Sequence, residues 1–170
     1  LDGVVTDTSS AFTLRDATPD DVDEIARLVR ELALYEKEPD AVTATPDHFR
    51  EALFPMGASP AAYGIVAVRQ GRVVGLAVWF TTFSTWTGRP GIWLEDLFVE
   101  PEQRGLGIGK ALLARLAATC VERGWTRLEW AVLDWNEPSI DFYRAQGARA
   151  QDEWTTYRVE SEALHRLAGG

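Results

Sequence analysis

Apolar residues recur along this chain at two spacings, arranged in blocks. Val22, Ile25, Val29 and Leu32 stand three or four apart, which predicts a helix running to about Tyr35. Thr18 before Pro19 supplies its N-cap and first helical position. Thr45-Pro46 repeats that opening and predicts a shorter helix through Leu53. The β-branched and apolar runs at 63–68 and 73–80 read as strands, joined by a hairpin at Gln70-Gly71. After a glycine- and proline-bearing loop over 84–91, residues 92–99 form a strand apolar enough to lie centrally. Helical spacing returns over 109–123, with Leu112, Leu116, Ala117, Cys120 and Val121 as the buried stripe and Gly124 as the stop. A strand over 128–133, a helix from Glu137-Pro138 to Gly147, a strand or strand pair over 149–159 and a closing helix over 161–168 follow. With a first strand at 12–15 the order is β-α-α-β-β-β-α-β-α-β, an α/β (α+β layered) fold on a mixed sheet.

Composition narrows the function classes. At 170 residues the chain suits one domain, expected over 12–168, with residues 1–11 expected to be a mobile N-terminal segment. A hydrophobic content of 46% and seven tryptophans argue against a disordered chain. The net charge of −9 argues against nucleic acid and anionic membranes as partners, and an acidic surface attracts cationic amines. Cys120 is the single cysteine, so an internal disulfide and a cysteine metal cluster are excluded. His48 and His165 stand far apart, and no metal site is expected. No apolar run reaches the ~20 residues that span a bilayer, and a cytoplasmic location is expected.

The densest chemical signal is Arg104-Gly105-Leu106-Gly107-Ile108-Gly109-Lys110, set between the strand at 92–99 and the helix at 109–123. Glycines at alternate positions leave backbone N–H groups uncovered at a helix N-terminus, where the dipole is positive and a phosphate is welcome. Arg104 and Lys110 add charge. A Walker A loop requires longer glycine spacing and a Ser or Thr after the lysine, where this chain has Ala111. The dinucleotide fingerprint requires a glycine where Lys110 stands. A pyrophosphate ligand of another kind, or a glycine-rich turn without a ligand, remains.

Two longer segments carry more information. Leu94-Glu95-Asp96-Leu97-Phe98-Val99 precedes the glycines, and Asp134-Trp135-Asn136-Glu137-Pro138-Ser139-Ile140-Asp141-Phe142-Tyr143 follows them. Together with the loop they resemble the GNAT acetyltransferase superfamily, and within it the diamine N-acetyltransferase branch of spermidine/spermine and thialysine enzymes. The resemblance runs from about Phe12 to Tyr157. It implies the GNAT acyl-CoA N-acyltransferase fold, a mixed central sheet with helices on both faces. It also implies acetyl-CoA as co-substrate, no metal, a small-molecule amine acceptor and a homodimer, with Trp79 and Trp86 as candidate interface aromatics.

The resemblance distributes roles along the chain. Arg104, Gly105, Leu106, Gly107, Ile108, Gly109 and Lys110 would cradle the pyrophosphate. Backbone groups of Leu97, Phe98 and Val99 would pair with the pantetheine amides as an added strand does. Asn136, Ser139 and Tyr143 would contact the same arm, although Asn136 also suits a helix cap. Glu95 would be the water-mediated base, and Tyr143 the acid that protonates the leaving thiolate. Tyr35, Glu36, Glu95, Asp96, Glu153 and Trp154 would contact the acceptor. Read from the residues alone, Glu95 and Asp96 interrupt an apolar strand, and alternation sends them to opposite faces. A salt-bridged pair at a strand end fits them too. The spermidine/spermine enzymes carry an aspartate where this chain has Ser84, which favours a shorter cationic amine. A protein or peptide lysine acetyltransferase and a non-catalytic acyl-CoA sensor are the competing readings.

Overall fold

The computed structural model describes residues 11–169, so all but the last position of the expected N-terminal segment lies outside the described residues. The chain divides between Leu133 and Asp134 into two compact units. The first holds β1 (Thr13–Asp16), α1 (Val22–Tyr35), α2 (Pro46–Leu53), β2 (Tyr63–Arg69), β3 (Arg72–Ser84), β4 (Arg89–Val99), α3 (Ile108–Arg123) and β5 (Leu128–Glu129). The second holds α4 (Glu137–Ala145) and α5 (Ser161–Leu167).

The sheet order is β1-β2-β3-β4-β5. The first four strands run antiparallel, and β5 joins parallel to β4 after the α3 crossover. Leu76 and Val78 of β3 share a core cluster with Ile25 and Leu28 of α1 and Leu53 of α2. Gly75 alternates with them, and a Cβ there would meet Ile108 Cγ2 of α3 at 3.2 Å. Successive strand residues point to opposite faces, so α1 and α2 cover one face and α3 the other. The mixed sheet with helices on both faces is therefore present.

α1 starts later than its cap signal. Pro19–Asp21 form a 3-10 turn, and the Asp21 carboxylate accepts from Thr18 N at 2.7 Å and from Arg15 at 2.6 and 2.8 Å. α3 buries Ile108, Leu112, Leu113, Leu116 and Cys120. Ala117 and Val121, expected in that stripe, are exposed. Rows at i+4 incline to the helix axis, so the row Leu113-Ala117-Val121 leaves the sheet after its first member.

The expected loop at 84–91 shrinks to a turn at 85–88, where Gly88 takes a φ of +63° and its N–H donates to Ser84 O at 2.8 Å. Pro90 and Gly91 belong to β4 instead. Gly91 serves close approach: a Cβ there would lie 2.8 Å from the Arg127 carbonyl oxygen, and the next amide, Ile92 N, donates to that oxygen at 3.0 Å. The expected strand at 128–133 shortens to two residues, and no strand forms over 149–159. A strand extends only as far as a neighbour ladders with it, and apolar composition alone supplies none: Trp154 and Tyr157 are exposed. Trp79 is buried and stacks on Tyr63 at 4.6 Å between ring centroids, so it has no surface to give to an interface, whereas Trp86 is exposed at the hairpin tip.

Candidate active site

β4 carries the site because its two edges differ. Toward β3 it is laddered along its length, from Arg89 opposite Ser84 to Val99 opposite Gly75. Toward β5 the described residues pair only at Ile92–Leu128 and Trp93–Glu129. From Leu94 onward that edge has no strand partner among the described residues, and it includes Leu97, Phe98 and Val99. The divergence coincides with a β-bulge. Val78 stands opposite Asp96 and Trp79 opposite Leu94, which leaves Glu95 as the extra residue. A bulge bends its strand and increases the twist.

The bulge also re-aims the two carboxylates. Asp96 is opposite Val78, and Phe98 is opposite Leu76, so both follow the α1-side face. Trp93 is opposite Phe80 on that same face, and its indole N–H donates to Glu95 Oε2 at 2.9 Å. Glu95 and Asp96 thus share a side, contrary to simple alternation, because the inserted residue breaks the period of two. Burial first, then the neighbouring charges of Glu95 and Glu36, push the Asp96 carboxyl up to about 6. Glu36 closes α1, its N–H donating to Leu32 O, and burial raises its carboxyl as well. Three carboxylates from two elements therefore converge, and those of Glu95 and Glu36 disfavour ionisation of the third, Asp96.

At the end of β4 the chain makes a 3-10 turn, Pro101–Gln103, and enters the glycine loop. Gly105 and Gly107 have φ of +81° and +82°, and a Cβ on either would meet open space. Gly107 is the N-cap of α3 and supplies no side-chain cap. The amides of Ile108, Gly109 and Lys110 therefore face outward at the positive end of the helix. Ile108 is buried and anchors that turn to the sheet, while Leu106 and Lys110 are exposed.

Arg104 does something the glycine motif did not suggest. Its Nε donates to Val99 O at 3.1 Å, and its guanidinium lies 4.9 Å from the Tyr35 ring centroid and 5.8 Å from that of Phe98. The side chain thus leans on the end of α1. Tyr35 and Phe98 also wall an open cleft of about 720 Å3 with Leu34 and Pro101. Beside it Glu100, buried at the strand end, binds Arg27 at 2.8 Å and Arg72 at 3.1 Å. An arginine before glycine reads as a phosphate ligand in sequence, and only the fold shows which way it turns.

The second unit holds the remaining candidates. Asn136 is buried and caps α4, its Oδ1 accepting from Ser139 N at 3.4 Å. The cap is thus one of its two anticipated roles. Tyr143 lies on α4, half-buried, with its ring 5.3 Å from that of Phe142. Glu153 and Trp154 lie in and just after an exposed turn, with Trp154 N donating to Gln151 O at 3.1 Å. Among the described residues no group of three or more His, Cys, Asp or Glu is arranged to hold a metal ion. No helix among them is long and apolar enough to cross a membrane.

Strand, bulge, glycine loop and helix in this order can be compared with known proteins. The sequence model of the acetyltransferase (GNAT) family matches residues 25–148. The chain belongs to the GNAT acetyltransferase family. Among similar GNAT proteins, the thialysine N-epsilon-acetyltransferase of Sus scrofa is 38% identical over 171 residues, covering 94% of this chain and 99% of that protein. The corresponding enzyme of Bos taurus is 40% identical over 167 residues, covering 92% and 96%. In three dimensions an integron cassette protein from the V. cholerae mobile metagenome shares the GNAT fold, with a TM-score of 0.77, 24% identity and coverage of 94% and 98%. GNAT enzymes use acetyl-CoA as co-substrate. The open space over Gly105 and Gly107, the outward amides of α3 and the unladdered edge of β4 fit its pyrophosphate and amide-bearing arm.

Proposed function

We propose that this chain transfers the acetyl group of acetyl-CoA to a primary amine of a small cationic acceptor, a diamine, polyamine or lysine analogue. The observation that carries the reading is the convergence of Glu36, Glu95 and Asp96 beside the unladdered half of β4. A primary amine has a pKa near 10 and arrives as an ammonium ion, which three carboxylates attract. The relatives named for thialysine acetylation, similar over nearly their whole length, support the same acceptor class.

The proposed reaction begins with loss of a proton from the ammonium, through a water, to Glu95. The neutral nitrogen attacks the thioester carbonyl carbon. The C–N bond forms, the C–S bond breaks, the thiolate takes a proton from the Tyr143 phenol, and the second proton shed by the acylated nitrogen returns through solvent to the phenolate. Gly105, Leu106, Gly107, Ile108, Gly109 and Lys110, with the backbone of Arg104, hold the pyrophosphate. Backbone groups of Leu97, Phe98 and Val99 hold the pantetheine amides, and one N–H there polarises the carbonyl as an oxyanion hole does. Asn136 and Ser139 steady that arm. Tyr35, Glu36, Asp96, Glu153 and Trp154 position the amine. The reading takes residues 12–168 as one catalytic domain, working as a cytoplasmic homodimer.

Ser84 supports a short acceptor. Its hydroxyl accepts from Arg127 at 2.8 Å, so a guanidinium stands where the spermidine/spermine enzymes carry an acid. A distal ammonium would be repelled there.

Thiol release from acetyl-CoA across thialysine, lysine, ornithine, putrescine, spermidine and a lysine peptide tests the reading. The expected outcome is rapid turnover of a small amine, reduced ~100-fold or more in Glu95→Gln and Tyr143→Phe, the usual scale of acid–base catalysis. Turnover confined to the peptide, or none despite acetyl-CoA binding, rejects it.

A further inference from the structure

We propose that Trp93 is a positioning residue for the reaction: its indole N–H fixes one oxygen of the Glu95 carboxylate and leaves the other for the water that carries the proton from the amine. The inference rests on the reading of Glu95 as the base and deepens it.

Glu95 stands where a side chain needs outside support. It is the extra residue of the β4 bulge, it is exposed, and among the described residues β5 no longer pairs beside it. A glutamate turns about several side-chain torsions, and holding it in one rotamer costs entropy. Trp93 stands just before the divergence, on the rigid part of the strand. It is opposite Phe80 on β3 and Glu129 on β5, and it is the last residue of β4 laddered on both edges among the described residues. Its ring is half-buried, and an indole moves as one rigid body. The donor is thus anchored in the sheet, and the proposed base leans on it.

The chemistry of the contact suits that task. Indole Nε1 donates to Glu95 Oε2 at 2.9 Å, and Oε1 has no hydrogen-bond partner among the described residues. An indole N–H is a donor only. It can orient a carboxylate, and it cannot take up the proton that the base receives. The indole also has no competing call on it from across the sheet. Glu129, its register partner on β5, is taken by Arg127 at 3.3 Å. The bulge brings Asp96 back to the same face, so an acceptor drawn to Asp96 meets Glu95 with one oxygen already fixed.

The test is a mutant cycle on the full chain: wild type, Trp93→Phe, Trp93→His, Glu95→Gln, and Trp93→Phe combined with Glu95→Gln. The fastest small amine of the panel and acetyl-CoA are varied separately. Phe keeps an aromatic ring and removes the donor. His returns a donor, because imidazole Nε2 lies as many bonds from Cα as indole Nε1 does. Trp93→Phe is expected to lower kcat ~10-fold, the scale of one lost hydrogen bond to a charged group, with both KM values changed less than about threefold. Trp93→His recovers part of that loss at about pH 8, where an imidazole is neutral. In the combined variant Trp93→Phe adds less than about twofold to the loss from Glu95→Gln, because a residue that acts through Glu95 has nothing left to position. Losses that multiply, or KM values that rise while kcat holds, would show that Trp93 only packs and would overturn the proposal. So would a wild-type kcat in Trp93→Phe beside a slow Glu95→Gln, an outcome that leaves the reading of Glu95 standing. Wild-type turnover in Glu95→Gln, or turnover of no amine at all, removes both.

Discussion

At the scale of single residues, Asp96 concentrates the conflict between stability and function. Folding raises its carboxyl pKa to about 6, from burial and from the charges of Glu95 and Glu36. The sign follows from linkage. A raised folded-state pKa means that the native chain holds the proton more tightly than the unfolded one. The associated stability is full below the ordinary carboxylate value and is lost as pH rises through about 6. At neutral pH the charged Asp96 is therefore a cost, which the proposed function explains by its attraction for an incoming ammonium. Asp96→Asn is expected to stabilise the protein by up to about 3 kcal/mol at about pH 7.5, the worth of a carboxylate shift from 3.8 to about 6. Thermal melts would show a higher Tm there and little change near pH 4. The same substitution raises the acceptor KM ~10-fold or more. A lower Tm at neutral pH would show that packing, and not charge, dominates the site. The residues Glu95 and Asp96 were legible in the sequence as acids in an apolar strand. Their common face was not, since one inserted residue undoes the alternation from which facing is inferred.

Among the elements, the glycine loop and β4 divide the work between backbone and side chain. Gly107 sits at φ +82° as the N-cap of α3, a conformation that costs a residue with a Cβ roughly 1–2 kcal/mol. Nothing lies within 4 Å of a Cβ built there, so the substitution strains the turn without a clash. Gly107→Ala is expected to leave the fold cooperative and to weaken acetyl-CoA binding ~5–30-fold, since that energy re-opens the loop. Calorimetric titration with CoA measures it, and unchanged affinity would mean that the amides of α3 are not the phosphate cradle. Spacing of the glycines identified this loop because backbone torsions are a local property. The same logic failed at Pro90 and Gly91, which read as a loop and are strand. There the glycine answers to Arg127, a residue remote in sequence and 2.8 Å from where its Cβ would be.

Over the whole molecule, the excess of acidic residues acts on encounter. A net charge of −9 attracts a cationic acceptor over distances that salt screens. Raising ionic strength from about 0.01 M to about 0.15 M shortens the screening length from about 30 Å to about 8 Å. kcat/KM for a dicationic diamine is expected to fall several-fold over that range, while that for a zwitterionic amino acid with one net charge falls less. Steady-state assays at matched pH decide it, and equal slopes for the two acceptors would confine the electrostatics to the local site.

Sequence alone determined the order of the elements from β1 to α4, the glycine loop and the family, because these depend on periodicity and on residue identity at close spacing. Part of the core followed for the same reason: Ile25 of the predicted helical stripe meets Leu76 and Val78 of the predicted strand, while Leu28, outside that stripe, is buried with them and Val29 and Leu32 are only partly buried. Tertiary structure alone decided where β5 stops, on which side Glu95 lies, and that Arg104 leans on Tyr35. Each depends on which strand or ring stands beside a residue far away in the chain, and a linear pattern does not encode that adjacency.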